Sequence, residues 1–116
     1  MINVASPVTK ARLARWAASH PRIRCLIVFG SYAKGTANEE SDLDIAVVVR
    51  LPAEASEKLL QWMDDKPKWL NELRDLLTFR DIQLEELSPE DPHVTKYVRE
   101  AHIVMYDPEG VLAKFL

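Results

Sequence analysis

The sequence contains one cysteine, three glycines and no long hydrophobic run. With Cys25 alone, the chain can form neither a disulfide framework nor a cysteine-based zinc site. The longest apolar runs, Cys25–Phe29 and Ile45–Val49, have five residues each, whereas about 20 are needed to cross a bilayer. The N-terminus also lacks the apolar segment of a secretion signal. We therefore expect a cytoplasmic protein with no membrane partner.

The chain has fewer basic side chains (15) than acidic ones (18), and the basic side chains are unevenly distributed. The net charge of −3 at pH 7 argues against general nucleic-acid binding, because that function needs a basic surface. Residues 1–38 contain six basic side chains and no acidic one, whereas residues 39–116 carry a net charge of −9. This asymmetry indicates either a positive wall beside an anionic ligand or the ordinary variation of short segments.

The rest of the composition is that of a globular protein. Of the 116 residues, 47% are hydrophobic and 28% are charged, and a chain of this length buries roughly two-thirds of its unfolded surface. We find no repeat, no low-complexity stretch and no Gly/Ser-rich linker. We therefore predict a single domain over residues 1–116.

Alternating helix and strand signals predict an α/β (α+β) fold in which helices flank a small mixed sheet of about four strands. Ser6-Pro7 and Asp91-Pro92 are helix-start signals, and Asp65 is a candidate N-cap. The predicted strands are Ile23–Phe29, Leu43–Val49, Phe79–Leu87 and Ile103–Tyr106. The predicted helices are Pro7–Ser19, Ala53–Met63, Pro67–Leu77 and Pro92–Ala101, with a closing turn or helix over Pro108–Leu116.

A Gly-Ser turn follows the most apolar predicted strand. Gly30 has no Cβ, so backbone there can approach a ligand closely. Ser31 offers a hydroxyl and begins a short helix, whose free N–H groups favour a phosphate. Taken alone, such a turn is more often only a turn.

An Asp-x-Asp pair opens the next predicted strand. Residues i and i+2 of a strand point the same way, so Asp42 and Asp44 project from one face while Leu43 enters the core. Two neighbouring carboxylates repel each other unless a cation lies between them. Oxygen ligands of this kind suit Mg²⁺, which shares its remaining positions with water and phosphate.

Together the two elements form the run GSYAKGTANEESDLDIAVVV. This run resembles the nucleotidyltransferase superfamily related to DNA polymerase β, and most closely its minimal (MNT) branch. The resemblance is dense over Ile23–Val49 and looser as far as Pro108. It implies a polymerase β-like core, Mg²⁺ as cofactor and ATP or another nucleoside triphosphate as donor. The residues it assigns to nucleotide binding are Gly30, Ser31, Lys34 and Ser41, and those it assigns to catalysis and to the metal are Asp42 and Asp44.

Two positions depart from the family pattern. The family often has Arg in the turn, where this chain has Tyr32 and Lys34, and Lys neutralises a phosphate only as a point charge. The family's later strand usually carries a third carboxylate, and the matching position here is Gln83. Asp81 and Glu85 share the strand parity of Gln83, so either is a candidate replacement.

The resemblance also suggests a substrate and a partner. Minimal members of the family are often paired with a HEPN-domain toxin, whose tyrosine they adenylylate as antitoxins. Gln83 supports the alternative of a weakened relative that acts as a binding antitoxin or regulatory module. A third hypothesis is a small-molecule nucleotidyltransferase that works as a homo-oligomer, since we expect the core to take up these 116 residues and a second copy to complete the acceptor site.

Overall fold

Four strands form one mixed sheet in the computed structural model, which describes residues 2–50 and 55–116. The strands are β1 (Ile23–Phe29), β2 (Leu43–Val49), β3 (Ile82–Glu86) and β4 (His102–Tyr106). The helices are α1 (Pro7–Ala18), α2 (Ser31–Lys34), α3 (Ala55–Leu77) and α4 (Pro92–Glu100), and a 3-10 helix spans Val111–Phe115. In the described ranges, no helix is long and apolar enough to cross a membrane.

The strand order β3-β2-β1-β4 confirms the predicted mixed α/β architecture. Strand β1 runs antiparallel to both β2 and β4, while β2 and β3 are parallel. Consequently the end of β1 and the starts of the other three strands lie at one edge of the sheet. At this edge Phe29 pairs with Asp44 on one side and with His102 on the other.

Each face of the sheet carries its own hydrophobic cluster. Leu43, Ile45 and Val47 point to the face covered by α1 and α3, where Leu13 and Leu73 are fully buried. The opposite face is covered by α4 and the 3-10 helix. On β2, Ala46 and Val48 point to that second face, and strand alternation places Asp44 there with them.

Two helix starts agree with the sequence signals. The Ser6 hydroxyl accepts a hydrogen bond from the Val8 N–H at 3.3 Å, and Pro7 occupies the first turn of α1. The Asp91 carboxylate accepts from the His93 N–H at 3.0 Å at the start of α4. These side chains satisfy N–H groups that have no partner inside the helix.

The prediction of two helices in the middle of the chain is wrong, because α3 continues through Pro67. Asp65 does not cap a second helix; its carboxylate pairs with Arg22 at 3.0 Å. The apolar stripe of α3 continues past the proline, with Trp69 and Leu73 buried in the core. That packing outweighs the hydrogen bond that proline cannot donate. Residues 53 and 54 of the predicted first helix lie outside the described residues.

Strand β3 is shorter than the predicted Phe79–Leu87. The first residues of the predicted strand instead form hydrogen bonds with the end of α3. The Phe79 N–H donates to the Arg74 carbonyl at 3.1 Å, and Arg74 Nε donates to the Arg80 carbonyl at 2.9 Å. These local hydrogen bonds compete with strand pairing. Strands β1 and β2 have the predicted bounds, and α1, α4 and β4 differ from the prediction by one residue at an end. The final 3-10 helix is shorter than the predicted Pro108–Leu116.

The turn from β1 into α2 requires glycine at position 30. Gly30 has φ of 70° and ψ of −151°, a conformation that is almost exclusive to glycine. A Cβ at this position would overlap Oδ2 of Asp44 and lie 3.1 Å from its Cγ. The backbone of the turn therefore lies directly against the Asp44 carboxylate.

Substitution of Gly30 should cost more stability than substitution of a glycine that has only a positive φ. Gly110 has φ of 66° and no neighbour near its missing Cβ, so we expect Gly110→Ala to lower the free energy of unfolding by about 1 kcal/mol. Gly30→Ala adds the overlap with Asp44 and should lower it by about 3 kcal/mol. Urea unfolding of both variants measures the difference. Equal losses would contradict the close approach.

Candidate functional site

The Gly-Ser turn and the Asp-x-Asp pair meet at one edge of the sheet. The pairing of Phe29 with Asp44 places the start of β2 beside the end of β1, and Gly30 contacts the Asp44 carboxylate across that pairing. Asp42 precedes Asp44 by two residues and is exposed, whereas Asp44 is half-buried. The predicted juxtaposition of the two motifs is therefore present.

A cavity of about 420 Å³ opens between this edge and helix α4. It carries both charge signs and aromatic side chains. The residues that line it are Phe29, Gly30, Lys34, Asp44, Gln83, Glu85, Asp91, His93, Val94 and Tyr97. Three of the six predicted site residues thus line the cavity, and they come from the turn, the end of α2 and β2.

Asp44 is the most strongly perturbed acid of the site. Burial raises the pKa of its carboxyl group above the ordinary value, and the negative charges of Asp42 and Glu85 raise it further. Both neighbouring carboxylates therefore lie close enough to Asp44 to repel its negative charge. A cation held by Asp42 and Asp44 would relieve the repulsion between these two.

The neighbours of Asp44 distinguish the two candidates for the third carboxylate. Gln83 pairs with Asp44, and Glu85 pairs with Ala46, one step further along the same face. Glu85 lines the cavity and acts on Asp44 electrostatically. Asp81 is exposed, and its carbonyl accepts a backbone hydrogen bond from Leu43 at 2.8 Å. Geometry therefore favours Glu85 over Asp81 as the third carboxylate beside Asp42 and Asp44.

Lys34 supplies positive charge to the cavity from the end of α2. Its Nζ lies 3.0 Å from Oε2 of Glu100 at the end of α4, and both side chains are more than 40% exposed. Such an exposed ion pair is weak, so an incoming phosphate can compete with Glu100. Of the six basic residues before position 39, Lys34 alone lines this cavity, since Arg22 and Arg24 pair with acids elsewhere. The asymmetry of charge therefore does not build a positive wall here.

Ser31, Ser41 and Asp42 do not line the cavity, although all three lie in the segment between β1 and β2. Ser31 begins α2, and its carbonyl accepts hydrogen bonds from the N–H groups of Gly35 and Thr36. The Ser41 hydroxyl accepts from the Asn38 N–H at 2.9 Å. Ser41 thus shapes the loop that leads to Asp42.

Sequence reasoning missed the contribution of α4 to the site. His93 and Tyr97 lie one turn apart on this helix and both line the cavity. The i, i+4 spacing of two aromatic rings beside buried Val94 and Val98 was a readable signal. Tyr32, by contrast, is buried and packs edge-to-face on Phe79.

The donor set fits a Mg²⁺ ion that is shared with a substrate. Within residues 2–50 and 55–116, no three His, Cys, Asp or Glu side chains are grouped so that they could hold a metal ion, so substrate and water would have to supply most of the ligands. Asp42 and Asp44 are oxygen donors on one strand face, and Mg²⁺ commonly takes one or two carboxylates and completes its octahedron with water and phosphate oxygens. Burial raises the pKa of Asp44 and the negative charges of Asp42 and Glu85 raise it further; these neighbouring charges are the electrostatic reason that a cation would suit the site.

The raised pKa of Asp44 predicts how the free energy of unfolding depends on pH. Because the pKa of Asp44 is raised in the folded state, its ionisation opposes folding, and stability is lost as pH rises through the folded-state pKa. With a chelator present, we expect Asp44→Asn to have a higher free energy of unfolding than the wild type at pH 7. The gain should vanish as the pH falls below 3.8, the ordinary pKa of the group. Denaturant unfolding at several pH values measures this.

A matched control for that experiment is Asp75→Asn, which changes an exposed carboxylate on α3. It should change the free energy of unfolding little, both at pH 7 and at low pH, because the Asp75 side chain is exposed. A stability gain that is equal in both variants would show that general charge reduction, and not the environment of Asp44, is responsible.

Comparison with known proteins agrees with this geometry. A toxin–antitoxin structure with AMP-PNP superimposes with a TM-score of 0.70 at 19% identity, covering 91% of this chain and 79% of that one. A Shewanella oneidensis complex of a tri-AMPylated HEPN toxin with its MNT antitoxin gives 0.65 at 16% identity, covering 93% and 77%. At these identities the likeness establishes the fold. No curated relative matches at a significant level.

Sequence comparison identifies the family directly. Residues 12–109 match the family described as "Polymerase beta, Nucleotidyltransferase". The match includes the Gly-Ser turn, the Asp-x-Asp pair and the cavity residues of β3 and α4. The chain therefore belongs to the polymerase beta nucleotidyltransferase family and is a nucleotidyltransferase.

Proposed function

We propose that this protein is a Mg²⁺-dependent enzyme that transfers AMP from ATP to a hydroxyl group, with a tyrosine of a HEPN-type toxin as acceptor. The observation that carries the proposal is the contact between the Gly30 backbone and the Asp44 carboxylate. It places a turn that suits phosphates against a carboxylate pair that suits a cation. A nucleoside triphosphate is the ligand that needs both.

The roles of the residues follow from their positions. Gly30 and the N–H groups of the turn would hold the terminal phosphates, and Lys34 would neutralise part of their charge after leaving Glu100. Asp42 and Asp44 would hold Mg²⁺, which supplies positive charge to the α-phosphate and to the leaving pyrophosphate. Ser31 offers its hydroxyl at the start of α2. Ser41 would act indirectly, by shaping the loop before Asp42.

The reaction is an in-line displacement at the α-phosphorus. The acceptor oxygen forms a bond to this phosphorus while the bond to the bridging oxygen of the β-phosphate breaks, and pyrophosphate leaves with that oxygen. The hydroxyl proton passes to a nearby base. Glu85 is a carboxylate on the same sheet face, two residues beyond Gln83, and we assign that role to it.

The nature of the acceptor rests on the openness of the site and on the neighbours. Asp42 is exposed at the edge of the sheet, so a side chain on another protein can reach the α-phosphate. Solved structures of similar fold are toxin–antitoxin complexes, one of which contains a tri-AMPylated HEPN toxin. We therefore favour a protein hydroxyl over a small-molecule alcohol and a heteromeric complex over a homo-oligomer.

The Asp pair should be indispensable for transfer. With [α-³²P]ATP, Mg²⁺ and a co-expressed HEPN partner, the wild type should label the partner, while γ-labelled ATP should leave no label. Asp42→Asn and Asp44→Asn should each reduce labelling at least about a hundredfold, with circular dichroism unchanged, and Asp75→Asn should label normally. A stable complex without any adduct would instead identify a binding antitoxin.

Glu85 should behave as the third carboxylate, in contrast to Asp81. We expect Glu85→Gln to lower kcat about a hundredfold, as loss of a general base does, and Asp81→Asn to leave it nearly unchanged. Adding Gln83→Asp to the Glu85→Gln variant should restore part of the rate, because it returns an acid to the same face. Full activity in Glu85→Gln would remove Glu85 from the mechanism.

A further inference from the structure

Two aromatic rings on α4 form a prearranged wall of the cavity. The rings of His93 and Tyr97 stand edge-to-face with centroids 5.2 Å apart. Tyr97 is 41% exposed although it is a large aromatic residue, and both side chains line the cavity. Below them Val94 and Val98 are buried against the second face of the sheet. The wall is thus an accessible aromatic surface, formed by two nearly perpendicular rings on a well-packed helix.

The lining of the cavity comes from two parts of the chain. Gly30 and Lys34 belong to the turn and the short helix that follow β1. The part lined by α4 and β3 carries the carboxylates of Glu85 and Asp91 beside the aromatic wall. The proposed function places the triphosphate at the Gly30 turn, where Lys34 supplies positive charge and the Asp pair would hold the cation. The uncharged part of a nucleotide can then extend along α4.

We propose that the face of Tyr97, held by His93, stacks on the nucleobase of the donor nucleotide. This proposal rests on the proposed function, since it requires the triphosphate at the Gly-Ser turn. Offset or edge contacts between aromatic rings are favourable, and every nucleobase presents a π-face to such a platform. His93 acts as a positioning residue, because its ring packs against Tyr97 and restricts its orientation.

The experiment compares two ligands that differ in the nucleoside. Calorimetry in Mg²⁺ measures binding of ATP and of inorganic triphosphate to the wild type, Tyr97→Ala, Tyr97→Phe and Lys96→Ala. Lys96 is exposed on the same helix and does not line the cavity, so Lys96→Ala is the matched control. Tyr97→Ala should weaken ATP binding about tenfold and leave the affinity for triphosphate unchanged. Tyr97→Phe, which keeps the ring, should bind ATP as the wild type does.

Each outcome separates the two levels of the proposal. If Tyr97→Ala binds ATP normally, or weakens ATP and triphosphate equally, the nucleobase does not stack on this wall, while the proposed function stands. If the wild type binds neither ligand in Mg²⁺, the proposed function fails, and the stacking proposal fails with it. His93→Ala provides an independent check, because it should weaken ATP binding by a smaller factor than Tyr97→Ala and leave triphosphate binding unchanged.

Discussion

The close approach of the Gly30 backbone to the Asp44 carboxylate is the constraint on which the site depends. The antiparallel register, in which Phe29 faces Asp44, brings the end of β1 to the start of β2. Because the missing Cβ would overlap the carboxylate, no other residue permits this geometry. The register is set by strand alternation, since a one-residue slip would move Leu43 and Ile45 out of the core and Asp44 into it. The hydrophobic core thus positions the polar site.

The same constraint creates an electrostatic cost. Asp44 is half-buried beside Asp42 and Glu85, and its pKa is raised accordingly. An ordinary core would avoid such a cluster, because buried charge of one sign opposes folding. Functional sites commonly retain this kind of conflict. Here it is the physical reason that a divalent cation and a polyphosphate would complete the site.

Helix α4 converts an edge of the sheet into a cavity. It packs through Val94 and Val98 on the second face of the sheet and leaves the polar starts of β2 and β3 uncovered beside it. Its exposed residues His93 and Tyr97 then form a further wall of the cavity, and Glu100 at its end pairs with Lys34. The residues that we propose for phosphate binding and those that we propose for nucleobase binding therefore belong to different elements. Both elements pack on one sheet, which holds them beside the same cavity.

Local sequence determined much of this protein. Apolar runs predicted β1, which ends at Gly30, and β2, which begins after Asp42, with their observed limits. Ser6 and Asp91 marked two helix starts, because these signals act within a few residues. The ends of helices that depend on packing against distant residues were harder to predict from the sequence. Pro67 indicated a break in α3, yet burial of Trp69 and Leu73 keeps the helix continuous.

The Gly-Ser and Asp-x-Asp motifs were also readable from the chain, because both lie in one short segment whose strands are neighbours. The sequence alone left Asp81 and Glu85 equivalent, since both share the strand parity of Gln83. Only the tertiary structure separated them, because the parallel register of β3 on β2 directs Glu85 into the cavity. The aromatic wall of His93 and Tyr97 was likewise decided by tertiary structure. Residues about fifty positions from the Asp pair become its neighbours only when α4 packs on the sheet.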